Sequence, residues 1–204
     1  MADSHGRYET IDAALSFLRD RNSWHIYHLG DICDSLHPET ADDCLRPLME
    51  CAVTAIKGNN DHTIVANQSD PGKGSVSQES INFLQDLPLV KHYRNAVFTH
   101  SLPFVEELGL SCMVRDMGQA EARKFFEESP RGILFRGHSH TPEILWVKAG
   151  RIYSQTLRRG QTISLEDRIP CVVNCGALTR GFCMVWRPEE HRIQCHSFLK
   201  GGLG

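Results

Sequence analysis

The 204-residue sequence has no apolar run near the roughly 20 residues that span a bilayer, and its N-terminus lacks the basic, apolar, small-residue order of a secretory signal. These absences exclude a helical membrane span and set the expectation of a cytoplasmic protein. An excess of charge of one sign is also missing. With 22 Lys and Arg against 25 Asp and Glu, the net charge of −3 gives no strong signal for nucleic acid or an anionic membrane surface. There are eight cysteines but no CxxC pair, so reduced, mostly buried thiols are expected rather than disulfides. Cys171, Cys175 and Cys183 lack the paired short spacings of a structural zinc site. No internal repeat or low-complexity segment occurs.

The balance of 41% hydrophobic and 23% charged residues suits an ordinary globular protein, and the length suits a single domain over 1–204. Apolar spacing predicts helices over 8–22, 38–49, 79–87 and 119–128, and extended runs over 24–29, 51–57, 89–93, 96–99 and 133–136. Beyond residue 143 the pattern turns to strands: 144–147, 151–157, 161–165, 171–173, 182–186 and 192–198. An early βα half followed by a strand-rich half predicts an α/β four-layer sandwich, two mixed sheets packed face to face with helices outside. A Ser, Gly and Pro loop covers 67–77, and the segment 62–78 is the candidate wall of an open, shallow crevice.

Histidine is plentiful, with eleven present. Five short segments hold most of the candidate ligands: Asp3 and His5; Asp31 and Asp34; Asn59, Asn60 and Asp61; His100; and His138 with His140. Four of the five follow a predicted strand, and loops leaving the carboxyl ends of neighbouring strands converge on one crevice. Carboxylate, imidazole and amide donors without thiolate suit manganese, iron, zinc, nickel or magnesium, with manganese favoured. Two such ions about 3.5–4 Å apart can share a carboxylate and a hydroxide, and can neutralise a phosphoryl group. Singly, each residue has an ordinary explanation: Asp3 as a helix cap, Asn59 and Asp61 as a tight turn, His138 and His140 as surface loop residues.

In order, these segments read DSH, GDICD, GNND, TH and GHSH. That series resembles the calcineurin-like metallophosphoesterase family, and VNCGALTR over 173–180 is similar to a loop of its small bacterial phosphodiesterase-type members. The resemblance implies two divalent metal ions, one held by Asp3, His5 and His140, the other by Asn59, His100 and His138, with Asp31 bridging. It implies hydrolysis of a small phosphate ester through a metal-bridging hydroxide, with Asp31, Asn59, Asn60, Asp61 and His100 at the catalytic centre. Asp34 is expected to orient a ligand histidine or a neighbouring loop. Arg180 is a candidate phosphate clamp or, equally, a surface ion pair.

Two departures from the family pattern carry expectations. Many members have histidine after the ligand asparagine, able to protonate a leaving alkoxide. Here Asn60 stands there, and an amide is no general acid near neutral pH. A phosphodiester or activated monoester is therefore the expected substrate, with His62 a candidate substitute donor or phosphate contact and a general phosphomonoesterase the alternative. Further, only Met1 and Ala2 precede Asp3 where the family has a buried strand of about six residues. The expectation is an upstream start, or else a poorly anchored Asp3 with backbone groups left unbonded at about 1–3 kcal/mol each. His25 and His28 read as packing or surface residues. A non-catalytic protein-binding scaffold of the same fold is the rival from another class, and homo-oligomerisation is left open.

Overall fold

The computed structural model describes residues 1–23, 25–67 and 76–198. Ile11, Ala14, Leu15 and Leu18 recur at helical spacing and are buried along one side of α1 (Tyr8–Arg19). β1 (Tyr27–His28), α2 (Ala41–Glu50), β2 (Thr54–Ala55), α3 (Asn59–Ala66) and α4 (Gln78–Asp86) follow. A hairpin of β3 (Val90–Tyr93) and β4 (Ala96–Thr99) turns at Arg94, whose φ is 55°. Next come α5 (Val105–Leu108), α6 (Gln119–Glu128), β5 (Ile133–Arg136), β6 (Glu143–Lys148) and β7 (Arg151–Thr156). The chain closes with β8 (Thr162–Ser164), β9 (Cys171–Asn174), β10 (Phe182–Arg187) and β11 (Arg192–Ser197). Residue 24 of the first predicted strand, and 68–75 of the predicted loop and crevice wall, lie outside the described residues.

A six-stranded mixed sheet runs in the order β3-β4-β5-β9-β6-β7, with β4, β5 and β9 parallel and the other neighbours antiparallel. In place of a second continuous mixed sheet there are two pieces, a parallel pair β1-β2 and an antiparallel sheet β10-β11-β8. Between them lie residues 1–3, too short a stretch for a full ladder but bonded on both sides. The Met1 ammonium donates to Tyr27 O, Leu29 N–H to Met1 O and Asp3 N–H to Gly30 O. On the other side Leu178 and Thr179 N–H donate to Ala2 O and Asp3 O. Asp3 is thus fully buried and tied through main chain and side chain, which corrects the expectation of poor anchoring.

Three apolar clusters hold the elements together. One packs α1, α2 and α4 through Leu15, Leu45, Leu48 and Leu84 onto Ala55 of β2. A second joins Leu29 and Ile56 to Phe98, Ile133, Phe135 and Val173 of the large sheet and to Met184 and Ile193 of the smaller one. The third, on the opposite face of the large sheet, sets Leu134 and Val172 against Phe125 and Phe126 of α6. Strand alternation divides neighbours in this way: Ile133 and Phe135 point into the second cluster, and Leu134 points into the third. Among the described residues no helix is long and apolar enough to cross a membrane. All eight cysteines are free, and all but Cys51 are buried.

Helix α3 escapes the sequence reading because its first turn, Asn59-Asn60-Asp61, looks like a turn. Asp61 makes it a helix: its Oδ2 accepts from Gly58 N–H at 2.9 Å, satisfying a donor at the helix start.

Candidate metal centre

The carboxyl ends of β1, β2, β4 and β5 deliver Asp31, Asn59, His100 and His138, and the end of the 1–3 segment delivers Asp3. The backbone there is pressed into unusual conformations. Of ten non-glycine residues with positive φ among the described residues, five are Asp3, His5, Asp31, His138 and His140. Such angles persist where surrounding contacts over-determine them, and they concentrate at functional sites. Two loops also meet backbone to backbone. Gly30 sits at φ 86° and a Cβ there would lie 2.8 Å from His100 Nδ1, while one at Gly58 would collide with Asp31.

Side-chain donors converge in two sets. His5 Nε2 lies 2.9 Å from His140 Nε2, and Asp3 Oδ1 lies 3.8 Å from His140 Nε2. In the other set, His100 Nε2 lies 3.1 Å from both Asn59 Oδ1 and His138 Nδ1. Asp31 stands between, with Oδ2 at 3.8 Å from His5 Nε2 and Oδ1 at 3.6 Å from His100 Nε2. Two ligands each about 2.1 Å from one ion, at tetrahedral or octahedral angles, would be roughly 3.0–3.4 Å apart. The donor spacings, from 2.9 to 3.8 Å, fall within that range or a few tenths of an ångström to either side.

The chemistry of the set also fits a cation. His100 donates from Nδ1 to Leu29 O at 2.8 Å, which leaves Nε2 as a lone pair facing the acceptor Asn59 Oδ1. Protonation could relieve that contact, yet burial lowers the His100 pKa to about 4. Burial likewise lowers His138 and His140, the latter helped by His5 and Arg180. Burial, then the nearby Asp31, pushes Asp3 well above the ordinary carboxylate range. Two buried carboxylates and several neutral imidazoles, lone pairs inward, are stabilised by divalent positive charge.

The remaining expected residues have varied positions. Asp61 is buried away from the crevice and knits two loops, its Oδ1 accepting from Ile32 and Cys33 N–H at 3.0 Å. Burial and Asp31 raise its pKa to about 7. Asn60 donates to both oxygens of Asp31. Asp34 accepts from Leu36 N–H at 2.8 Å within its own loop and has no hydrogen bond to a ligand histidine among the described residues. His62 is half-buried on α3, and Arg180 is exposed at the end of the 3₁₀ turn Leu178–Arg180, with no ion-pair partner among the described residues. An open cleft of about 610 Å³ borders His5 and His140, lined also by Arg7, Asp34, Ser35, Leu36, Asn60 and Thr179. A second, mostly apolar cavity of about 310 Å³ between Tyr27 and Trp186 contains none of these donors.

Several supporting residues were not legible in the sequence. Ser35 hydrogen-bonds Asn60. Ser4 donates to Ile32 O and so accepts from buried His28, which is neither plain packing nor surface. Arg136 buries its guanidinium on Ser101, behind His100. Asp116 lies 3.6 Å from His138 Nε2, the nitrogen turned away from the donor cluster. No spacing signal announces such pairings, because each joins residues distant in sequence.

A family model described as the calcineurin-like phosphoesterase superfamily domain matches residues 1–182. No curated protein matches the chain significantly. Among solved structures, a metallophosphoesterase from Sphaerobacter thermophilus aligns with a TM-score of 0.74 at 16% identity, over 97% of this chain and 85% of that one. A structure titled "putative diadenosine tetraphosphatase" aligns with a TM-score of 0.63 at 12% identity, over 98% and 92%. The protein TT1561 of Thermus thermophilus aligns at 0.54 and 11%, over 98% and 97%. At these identities the likeness concerns the fold.

Proposed function

The chain belongs to the calcineurin-like phosphoesterase superfamily, and on that premise we propose that it hydrolyses phosphodiesters, or monoesters with good leaving groups, using two divalent metal ions. The observation that carries this reading is Asp31, whose two oxygens face His5 on one side and His100 on the other. Asp3, His5 and His140 would hold one ion, Asn59, His100 and His138 the second, and Asp31 both. When bound, the ions supply Lewis acidity, lower the pKa of water and offset phosphate charge; manganese is our first choice, with iron, zinc, nickel or magnesium compatible with the donors.

The protein's own part is positioning. The Leu29 carbonyl fixes His100 in the tautomer that turns Nε2 inward. Asp61 ties the Asp31 loop to the start of α3 and so keeps Asp31 and Asn59 in register. The cleft beside His5 and His140 provides room for the ester, with Arg7 in its wall and Arg180 nearby as cations for phosphate oxygens. Asn60 cannot donate a proton to an alkoxide at neutral pH, which favours leaving groups that depart unprotonated and supports the diester reading. A fold neighbour is titled "putative diadenosine tetraphosphatase"; the polyphosphate chain of a dinucleoside tetraphosphate has phosphate leaving groups that depart without protonation, which is compatible with the preference for good leaving groups. The layering of helices, smaller sheets, large sheet and α6 around three clusters supports a four-layer sandwich formed by one domain.

The test is metal analysis of the purified protein together with hydrolysis of a bis-aryl phosphate after manganese addition. The expected result is two ions per chain and manganese-dependent turnover that Asp31→Asn abolishes. Absence of bound metal, or an Asp31→Asn variant as active as the wild type, overturns the reading.

A further inference from the structure

Both carboxylate oxygens of Asp31 take a hydrogen bond from one residue. The Asn60 main-chain N–H donates to Oδ1 at 2.9 Å and Asn60 Nδ2 donates to Oδ2 at 2.8 Å. The amide oxygen left over accepts from the Ser35 hydroxyl at 2.8 Å and from the Ser35 N–H at 3.3 Å. Each Asp31 oxygen thus has one donor from Asn60 and faces a different imidazole, His100 from Oδ1 and His5 from Oδ2.

We propose that Asn60, itself held by Ser35, is a positioning residue that clamps Asp31 so that one oxygen serves each metal site. The proposal rests on the dinuclear reading above. A primary amide is suited to this duty because a single planar group donates to Asp31 while accepting from Ser35. It also carries no charge at any working pH, so the clamp does not titrate. Alanine would keep the main-chain donor and lose the one on Oδ2, leaving that oxygen free to rotate away from the His5 side.

The clamp is tested by manganese titration of the wild type, Asn60→Ala and Ser35→Ala, read by calorimetry and by electron paramagnetic resonance. Two manganese ions joined through one carboxylate give an exchange-coupled spectrum distinct from that of isolated ions. Groups that orient metal ligands typically contribute about 10–100-fold in metal affinity. Asn60→Ala is expected to lose affinity within that range at one of the two sites and to lose the coupled signal, and Ser35→Ala to move the same way by less. An Asn60→Ala protein with wild-type affinity and the wild-type coupled spectrum overturns the clamp alone. Wild-type protein that binds fewer than two ions overturns the dinuclear reading and the clamp together. Should Asn60→Ala fail to fold, Ser35→Ala decides, and wild-type affinity with an unaltered spectrum in that variant overturns the proposal.

Discussion

His5 Nε2 and His140 Nε2 lie 2.9 Å apart although 135 residues separate them in the chain. One of these nitrogens can donate to the other, and a cation held there would take the place of that proton by drawing on both lone pairs.

Metal retention should therefore extend to mildly acidic pH. Ligand histidines must be neutral, and burial lowers the pKa of His100 to about 4 and that of His138 and His140 below 6.5. Protons then compete for these nitrogens only below the usual histidine range, and the Asp3 carboxyl, raised by burial, competes for a proton on the acid side as well. Manganese affinity measured by titration at stepped pH should change little between pH 8 and 6.5 and fall below that. A steep loss centred above pH 7 would contradict the buried, neutral character assigned to these rings.

Replacing Asn60 by histidine should shift substrate preference. The variant gains a group able to protonate an alkoxide but loses the Nδ2 donor on Asp31. Turnover of a bis-aryl phosphate is expected to fall, while the monoester-to-diester ratio of kcat/KM rises by at least about tenfold, a fraction of the roughly 100-fold or more that a well-placed general acid contributes. An unchanged ratio would mean that this position does not meet the leaving group.

Asp61 is a stability residue in this structure. Asp61→Ala leaves the N–H groups of Ile32, Cys33 and Gly58 without their acceptor in a buried region. At about 1–3 kcal/mol for each unsatisfied group, the loss should reach about 3 kcal/mol or more. Urea unfolding of the metal-free protein measures it, and a midpoint equal to that of the wild type would rule out the role.

Stability of the metal-free protein should also fall with acid through His28. It is fully buried, its pKa lies well below 6.5 because of burial, and its Nδ1 has no hydrogen-bond partner among the described residues. Above pH 6.5 the ring is neutral in both folded and unfolded chains, and its contribution is complete. Below 6.5 the unfolded chain takes up a proton that the folded one refuses, so stability drops by up to about 1.4 kcal/mol per pH unit for each such histidine. Unfolding free energies at pH 7.5 and 5.5 should differ less in His28→Gln than in the wild type.

Much of the architecture could be read from periodicity. The apolar stripe of α1, the hairpin of β3 and β4, and the core strand β5 fall where spacing places them. β1 and β2 shrink to two residues each because their pairing is confined to a short parallel ladder, a limit set by the neighbouring strand and not by composition. Asp34 looked like the supporting carboxylate because it sits in the motif, yet Asp61 takes that role through donors on two loops.

The sequence alone determined the family, the donor types and the helices whose apolar faces repeat every turn, since local spacing and side-chain chemistry need no partner. Which oxygen faces which imidazole, how Asn60 spans Asp31 and Ser35, and how residues 1–3 anchor Asp3 were decided only by the tertiary structure. These contacts join segments dozens of residues apart, and a hydrogen bond's geometry depends on where folding places both ends.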